Sequence, residues 1–279
     1  MTEKVCVVGA GQMGSGIAQV AAVAGYDVTL VDVAPAQLER ARSGIEGSLA
    51  KLVEKGRVEP ADAEAALGRI ATAGEPGPAD LAIEAATEDV DLKLRIFREL
   101  DAAAGDGAVL ASNTSSIPIT RLAAVTSRPE RVVGMHFMNP VPLMPLVELI
   151  RGLETSDEAA ATVQDAAERM GKTVAESRDF PGFIANRILL PMINEAVYCL
   201  MEGVGDRESI DTVMRLGMSH PMGPLRLADL IGLDTCLAIM EVLHEGLGDS
   251  KYRPCPLLRS YVEAGRLGRK AGRGFYDYG

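Results

Sequence analysis

A glycine-rich turn between the first apolar run and the first helix constrains this chain more than any other feature. Lys4–Val8 predicts a buried strand, and a helix is predicted from the turn to about Ala24. Gly9, Gly11 and Gly14 lie between them in the spacing G-x-G-x-x-G. Gly9 permits a tight turn, Gly11 lets a bound group approach the backbone, and Gly14 lets helix and strand pack closely. The pattern predicts the strand–turn–helix unit of a parallel α/β sheet.

The second predicted strand, Val28–Asp32, ends in an acidic residue about 20 residues after the glycines. A helix N-terminus offers free N–H groups to phosphates, and the Asp32 carboxylate can accept hydrogen bonds from both ribose hydroxyls. Asp32 would repel a 2′-phosphate, and no arginine follows closely, so the sequence favours NAD over NADP. A glycine turn and a surface aspartate in a fold that binds nothing is the simpler alternative, but strand, glycines, helix and acid are all in register.

The first half of the chain alternates predicted strands with predicted helices, which indicates a parallel sheet covered on both faces. The second half is helical throughout. We therefore expect a Rossmann-type domain with a mostly parallel sheet and a helical arm at 1–182, and an all-helical domain at 183–279. The predicted strands are 4–8, 28–32, 70–72, 81–84, 109–112, 132–136 and 147–150. The predicted helices include 35–54, 60–67, 89–103, 183–201, 207–216, 225–247 and 256–264.

His136 lies at the end of the apolar strand 132–136, where an imidazole is placed to move a proton near neutral pH. Glu148 lies inside a second apolar run, Leu146–Ile150. A carboxylate in so hydrophobic a segment needs a partner, because burying it alone is costly. His136 is the nearest candidate, so the two residues predict an acid/base pair.

Two further groups have both a structural and a functional interpretation. Ser115 and Ser116 follow the strand 109–112, at the sheet edge where ligands bind, but either could cap the helix expected near Pro118. Asn186 lies on an apolar helix, where it could bond to a neighbouring backbone group or reach into a cleft between domains. The sequence leaves these alternatives open.

Composition excludes several classes of protein. The net charge of −11 argues against general binding to nucleic acid or to an anionic membrane. The four cysteines are scattered, no signal peptide or membrane span is expected, and we expect a cytoplasmic protein. His220 and His244 are interpreted as structural or surface residues, and no motif predicts a metal. Aromatic residues are sparse, so aliphatic contacts are expected to hold the adenine of NAD.

These motifs together resemble the L-3-hydroxyacyl-CoA dehydrogenase family, and within it the bacterial 3-hydroxybutyryl-CoA dehydrogenases. The resemblance runs almost end to end, and the order and spacing of its blocks are specific. The blocks are G-A-G-Q-M-G-S-G-I-A-Q (9–19), I-E-A-A-T-E (83–88), A-S-N-T-S-S-I (111–117), G-M-H-F-M-N-P-V-P (134–142), D-F-P-G-F-I-A-N-R (179–187), H-P-M-G-P-L-R-L-A-D-L-I-G-L-D (220–234) and G-R-K-A-G-R-G-F-Y-D-Y (268–278).

The resemblance implies an NAD-dependent oxidoreductase that interconverts (S)-3-hydroxyacyl-CoA and 3-oxoacyl-CoA, and a homodimer formed through the helical domain. It implies that His136 is the catalytic base, that Glu148 orients it, and that Ser115 and Asn186 hold the reacting oxygen. The implied cofactor-binding residues are Gly9, Gly11, Gln12, Met13, Gly14, Asp32, Glu88, Lys93, Ser115, Asn139 and Lys270. Ser48 and Lys55 are implied to contact coenzyme A, with Lys51 as a substitute for Lys55.

Two other functions are compatible with parts of the sequence. A related dehydrogenase acting on a free hydroxy acid or sugar acid, similar to the L-gulonate dehydrogenases, would need an anion-binding arginine and would not use Ser48 or Lys55. A non-catalytic NAD-binding or structural protein would have no physical reason to keep Ser115, His136, Glu148 and Asn186 together. Acyl-chain length, direction and pathway stay open, since butyrate or polyhydroxybutyrate metabolism, fatty-acid oxidation and aromatic degradation would all fit.

Overall fold

The computed structural model describes residues 3–279. The chain divides into two compact units, one ending at Asp179 and the other running from Phe180 to Gly279. The first unit is a mostly parallel α/β sheet with helices, and the second is helical. The predicted fold class is therefore confirmed.

The described part of the first unit contains one eight-stranded sheet with the strand order β3-β2-β1-β4-β5-β6-β7-β8. Every neighbouring pair is parallel except β6 and β7. The order reverses direction at β1, so β1 and β4 flank the switch point where ligands bind in open α/β sheets. The strands are β1 (Lys4–Val8), β2 (Asp27–Val31), β3 (Ile70–Ala73), β4 (Leu81–Glu84), β5 (Val109–Ser112), β6 (Val132–Phe137), β7 (Leu146–Arg151) and β8 (Thr173–Arg178).

The helices of the first unit pack through apolar stripes, most of them against the sheet and the second helix against the first and the third. In the long second helix, Ala41, Ile45, Leu49 and Leu52 are buried at spacings of three or four residues, which places them on one face. The helices are α1 (Gln12–Val23), α2 (Pro35–Glu54), α3 (Pro60–Gly68), α4 (Val90–Ala103), α5 (Ile119–Ala123) and α6 (Asp157–Arg169), with a short 3₁₀ turn at Pro129–Arg131.

The second unit contains five α-helices within its described residues. The predicted continuous helix 225–247 is wrong: it is two helices that meet at Gly232, whose φ of 105° is one that residues with a side chain rarely adopt. The helices are α7 (Ala185–Met201), α8 (Arg207–Thr212), α9 (Pro224–Ile231), α10 (Leu233–Leu247) and α11 (Pro256–Glu263), and a π-helical turn at Val213–Gly217 follows α8. Two 3₁₀ turns lie at Ser250–Tyr252 and Arg269–Ala271.

Two elements of the first unit, β8 and α6, are not predicted from the sequence. The edge strand β8 has the sequence T-V-A-E-S-R, with two apolar residues and one buried residue, so it lacks a continuous apolar run. Helix α6 buries mainly alanines, which give a weak hydrophobic pattern. Strand β7 is antiparallel to β6, whereas the alternation of strands and helices predicts parallel neighbours. Residues 138–145 are too few for a parallel crossover, which needs about a dozen or more residues.

No helix among residues 3–279 is both long enough and apolar enough to span a membrane.

One buried carboxylate fastens the C-terminal segment to the helices of the second unit. Asp229 on α9 is 1% exposed and accepts hydrogen bonds from the backbone N–H groups of Phe275 and Tyr276, each at 2.9 Å. The Tyr278 hydroxyl donates to the same carboxylate at 2.9 Å. A Cβ at Gly274 would lie 1.9 Å from the Asp229 Oδ1 atom, so only glycine fits there. Three donors therefore depend on a single charged acceptor.

We expect Asp229→Asn to lower the free energy of unfolding by about 1–3 kcal/mol, because the amide turns an NH₂ group towards buried donors. The midpoint of thermal unfolding should fall by about 2–4 °C per kcal/mol. Asp277→Asn is the matched control, since it removes the same charge from a side chain that is 70% exposed. Thermal and urea unfolding measure both. Equal losses in the two variants would contradict this role of Asp229.

Candidate active site

The glycine turn after β1 has a different steric requirement at each glycine. Gly9 has a φ of 104°, which glycine adopts readily and other residues rarely do. A Cβ at Gly14 would lie 1.7 Å from the Gly9 carbonyl oxygen, so helix α1 approaches the turn as closely as backbone allows. A Cβ at Gly11 would meet no protein atom within 4 Å. The space outside Gly11 is thus open to a bound group.

Asp32 follows β2 and is fixed beside this turn. Its Oδ2 atom accepts a hydrogen bond from the Ala10 N–H at 2.9 Å, and its Oδ1 atom accepts one from the Ala34 N–H at 2.9 Å. The Gln37 amide donates to the Ala10 carbonyl at 2.8 Å. The carboxylate is therefore held at the end of β2, where a ribose hydroxyl can donate to it.

A cavity of about 1240 Å³ lies over the turn and includes Gly9, Gly11 and Asp32 in its lining. Its other described walls are mostly aliphatic, and no aromatic side chain of residues 3–279 lines it. The aliphatic lining includes Val8, Val31, Val33, Pro76, Ala85, Ala86, Leu92 and Ile96. The glycine turn, the carboxylate and the aliphatic walls fit a dinucleotide.

The serine turn, residues 113–117 after β5, is organised by Glu88. The Glu88 Oε1 atom accepts hydrogen bonds from the N–H groups of Ser115 and Ser116, each at 3.2 Å, and from the Ser116 hydroxyl at 2.8 Å. The Thr114 hydroxyl donates to the same oxygen. Burial disfavours the charged form of Glu88, but Lys93 and the hydroxyls of Thr114 and Ser116 outweigh it and lower the pKa of this carboxyl. The turn thus folds around an ionised carboxylate.

The interpretation of Ser115 or Ser116 as a helix cap is wrong. Helix α5 has Pro118 at its N-cap position, so neither serine is the N-cap residue. The Asp179 carboxylate instead accepts hydrogen bonds from the N–H groups of Ile119 at 2.9 Å and Thr120 at 2.8 Å. A cap supplied from about 60 residues downstream leaves no local signal in the sequence.

Lys93, predicted from the resemblance to lie near the cofactor, is 1% exposed. Its Nζ atom lies 2.6 Å from the Glu84 Oε1 atom and 3.3 Å from the Glu88 Oε2 atom, and it donates to the Ala86 carbonyl at 3.2 Å. The ammonium is therefore enclosed by protein acceptors. Glu84 is not among the site residues predicted from the sequence, although a carboxylate inside an apolar strand is a signal that indicates it.

His136 and Glu148 lie directly opposite each other on the antiparallel pair β6 and β7. The His136 Nδ1 atom is 3.1 Å from the Glu148 Oε2 atom. The residues are 8% and 2% exposed, so the contact is largely shielded from water. The pairing expected from the buried carboxylate is present, and it comes from the register of the two strands.

The loop between β6 and β7 carries Asn139, which precedes a cis peptide bond to Pro140. The Gln12 amide donates to the Asn139 Oδ1 atom at 3.0 Å, which links this loop to the glycine turn. Lys172 holds the other side of the loop by donating to the carbonyls of Val141 at 2.6 Å and Met144 at 2.9 Å. Burial lowers the pKa of Lys172. Lys172 was not identified from the sequence.

A second cavity of about 320 Å³ lies beside α1 and α2 and is lined by polar and small residues. Ser48, a predicted coenzyme A contact, belongs to its lining together with Gln12, Gln19 and Asn139. Lys55 caps the C-terminus of α2 and is exposed, as is Lys51 one turn earlier. The structure thus brings Ser48 to a cavity and leaves both lysines at the surface.

Two predicted site residues belong to the second unit. Asn186 lies in the first turn of α7 and is partly buried. Lys270 pairs with Asp234 at the start of α10, with an Nζ–Oδ1 distance of 2.6 Å. Met13, in contrast, belongs to the first unit. It is the second residue of α1 and packs against the hydrophobic core of that unit.

Two of the cysteines, Cys6 and Cys236, are unsuited to nucleophilic chemistry. Burial raises the pKa of the Cys6 thiol to about 11 and that of the Cys236 thiol to about 12, so both stay protonated near neutral pH. All four cysteines are free thiols. Residues 3–279 hold no group of three or more potential metal ligands.

Comparison with known proteins places this arrangement in a family. Residues 4–180 match the family model described as 3-hydroxyacyl-CoA dehydrogenase, NAD binding domain, and residues 182–278 match that of the C-terminal domain. A probable 3-hydroxybutyryl-CoA dehydrogenase of Bacillus subtilis is 59% identical over 279 residues, covering 99% of this chain and 97% of that protein. A 3-hydroxybutyryl-CoA dehydrogenase of Bradyrhizobium diazoefficiens is 60% identical, covering 99% and 95%.

The crystal structure of (S)-3-hydroxybutyryl-CoA dehydrogenase from Ralstonia eutropha superposes with a TM-score of 0.96 at 50% sequence identity, and the match covers 100% of both chains. The resemblance found in the motifs is thus confirmed along the whole chain. NAD is the cofactor of the N-terminal domain. The chain belongs to the 3-hydroxyacyl-CoA dehydrogenase family and is an NAD-dependent dehydrogenase.

Proposed function

We propose that this enzyme interconverts (S)-3-hydroxybutanoyl-CoA and acetoacetyl-CoA. The observation that carries the proposal is the buried contact between His136 and Glu148, at the sheet edge that also bears the glycine turn and the serine turn. The substrate follows from the relatives, two of which are named 3-hydroxybutyryl-CoA dehydrogenases at 59% and 60% identity.

His136 is assigned the proton transfer. In oxidation it removes the 3-hydroxyl proton, and in reduction the protonated ring returns a proton to the oxygen at C3. The Glu148 carboxylate at Nδ1 fixes the tautomer and the orientation of the ring, so proton exchange with substrate is assigned to Nε2. Bound NAD would accept the hydride that leaves C3 in oxidation, and NADH would provide the hydride for C3 in reduction.

Ser115 and Asn186 are assigned to the reacting oxygen. Hydrogen-bond donors that are already fixed where charge changes stabilise the transition state without reorganising. For Ser115 the fixed geometry is supported by its backbone bond to Glu88. For Asn186 the support is its place in the first turn of α7, in a motif shared with the family.

The cofactor is assigned to the large cavity over the glycine turn. Gly9, Gly11 and Gly14 would bring the pyrophosphate to the N-terminus of α1, where Gln12 and Met13 begin the helix. Asp32 would accept from the adenosine ribose. The nicotinamide side of the cofactor is assigned to Glu88, Lys93, Ser115, Asn139 and Lys270. Lys93 is assigned an indirect role there, because its ammonium holds the Glu88 carboxylate.

The remaining assignments concern the protein as a whole. We place the domain boundary after residue 182, which agrees within a few residues with the division at Asp179 and Phe180.

A homodimer through the second unit is supported by exposed apolar side chains of that unit. Those that are at least half exposed are Ile188, Val204, Val213, Leu216, Met218 and Leu230. A cytoplasmic location is supported by the four free cysteines.

Replacing His136 by Gln should lower turnover of acetoacetyl-CoA by about 10²–10⁴-fold, the usual contribution of a general acid/base. The NADH dissociation constant should stay within about twofold, because the substitution leaves the glycine turn intact. Turnover is followed by the ultraviolet absorbance of NADH. His244→Gln on α10 is the control and should keep full activity. Unchanged turnover in the His136 variant would remove this residue from the mechanism.

Replacing Gly11 by Ala should weaken NADH binding by about tenfold or more while leaving the melting temperature unchanged. The added methyl group meets no protein atom within 4 Å, but it fills the space through which a pyrophosphate must approach. Gly47→Ala is the control, because its methyl group also meets no atom and Gly47 lies on the exposed face of α2. Fluorescence titration with NADH measures both. Normal affinity in the Gly11 variant would place the cofactor elsewhere.

Replacing Lys55 by Ala should raise the KM for acetoacetyl-CoA by up to about fivefold, since an exposed ion pair contributes about 0.2–1 kcal/mol. The effect should shrink at high salt, and the KM for NADH should not change. Lys51→Ala removes an equally exposed charge one turn earlier and serves as the comparison. If neither variant changes the KM, a free hydroxy acid becomes the better substrate, and reduction of free acetoacetate tests that directly.

A further inference from the structure

We infer that Glu84 is a positioning residue for the cofactor site: through Lys93 and Ser112 it holds Glu88 and the serine turn in the geometry that NAD binding requires. This inference rests on the proposed function, because it takes the serine turn to lie at the nicotinamide side. Neither Glu84 nor Ser112 has a role in the assignments above.

Glu84 joins three elements at the carboxyl end of β4. It is fully buried, and its Oε1 atom accepts from the Lys93 ammonium at 2.6 Å and from the Ala86 N–H at 2.7 Å. Its Oε2 atom accepts from the Ser112 hydroxyl on β5 at 2.7 Å. The Glu84 carbonyl also accepts from the Asn113 N–H at 2.7 Å. One side chain thus ties β4 to α4 and to the end of β5.

Two routes lead from Glu84 to the serine turn. The first passes through Lys93, whose ammonium lies between Glu84 and the Glu88 Oε2 atom. The Glu88 Oε1 atom then accepts a hydrogen bond from the turn. The second passes through the Ser112 oxygen, which accepts from the Thr114 N–H at 3.1 Å. Both routes end within the serine turn, so Glu84 holds the turn through two separate chains of contacts.

The charge pattern indicates why a carboxylate stands at this position. Lys93 is one cation between two carboxylates, and it can be drawn towards either. With the Glu84 carboxylate 2.6 Å away, the ammonium stays at the end of β4, and Glu88 keeps its Oε1 atom on the turn. Without that charge, the Lys93 ammonium is expected to move towards Glu88, and the Glu88 carboxylate is expected to rotate away from the serine N–H groups.

A buried ion pair is weak evidence for a stabilising role, because packed apolar side chains of similar size often stabilise equally well. The opposite end of α4 provides an internal comparison. Asp101 pairs with Arg128 at 2.8 Å, and this pair is also mostly buried. Neither residue lines a cavity described above, although Ala102 next to Asp101 lines the larger one. If Glu84 only stabilised the fold, removing either carboxylate should have the same kind of effect.

The test is the NADH dissociation constant of the full-length protein, measured by NADH fluorescence, for which a chain without tryptophan gives a low background. Glu84→Gln should raise this constant about tenfold, since it removes a charge-assisted hydrogen bond that orders the site. Asp101→Asn should lower the melting temperature and leave the constant within about twofold. An unchanged constant in the Glu84 variant, with a lower melting temperature, would overturn the inference.

Ser112→Ala tests the second route without changing any charge, so it keeps the inference falsifiable if Glu84→Gln does not fold. It should raise the NADH dissociation constant severalfold at a nearly normal melting temperature. A normal constant in a folded Ser112 variant would overturn that route. The readout does not involve the acyl substrate. A wild-type protein that binds NADH but does not reduce acetoacetyl-CoA would therefore reject the proposed function and leave this test valid.

Discussion

The parallel alignment of β1, β4, β5 and β6 is the constraint on which the site depends. Parallel strands end at the same edge of a sheet, so residues that are far apart in sequence meet there. This edge carries the glycine turn after β1, Glu84 at the end of β4, the serine turn after β5 and His136 near the end of β6. The reversed strand β7 then brings Glu148 back to the same edge, opposite His136. The function of this fold therefore depends largely on the residues at the carboxyl ends of its parallel strands.

Burial of charge at this edge has a cost that the structure meets in two different ways. Glu148 has a titratable ring beside it, so its partner can change charge during a reaction. Glu84 has a lysine and a hydroxyl, which hold a fixed pattern of charge. The arrangement around Glu148 suits proton transfer, and the arrangement around Glu84 suits the positioning of the serine turn. The two buried carboxylates therefore serve different purposes, although each lies in an equally apolar strand.

The sequence predicts those parts of the site whose signals are local. The glycine spacing and Asp32 lie within one strand–turn–helix–strand unit, and the long helix α2 has its predicted bounds. The partner of Glu148 was predictable because a carboxylate in an apolar run needs one. The same argument applied to Glu84 would have found Lys93. The register that pairs β6 with β7, the break at Gly232 and the cap of α5 come from tertiary structure, and no nearby residue specifies them.

The elements that the sequence did not reveal also support the site. Strand β8 is a half-exposed edge strand, yet Lys172 immediately precedes it and Asp179 immediately follows it. Lys172 holds the loop that carries Asn139 and follows His136. Asp179 caps α5, which directly follows the serine turn. Pairing with β7 fixes β8 along its whole length, so both anchors are set by one ladder of backbone hydrogen bonds. An edge strand with an unremarkable sequence thereby fixes the loops on both sides of the His136–Glu148 pair.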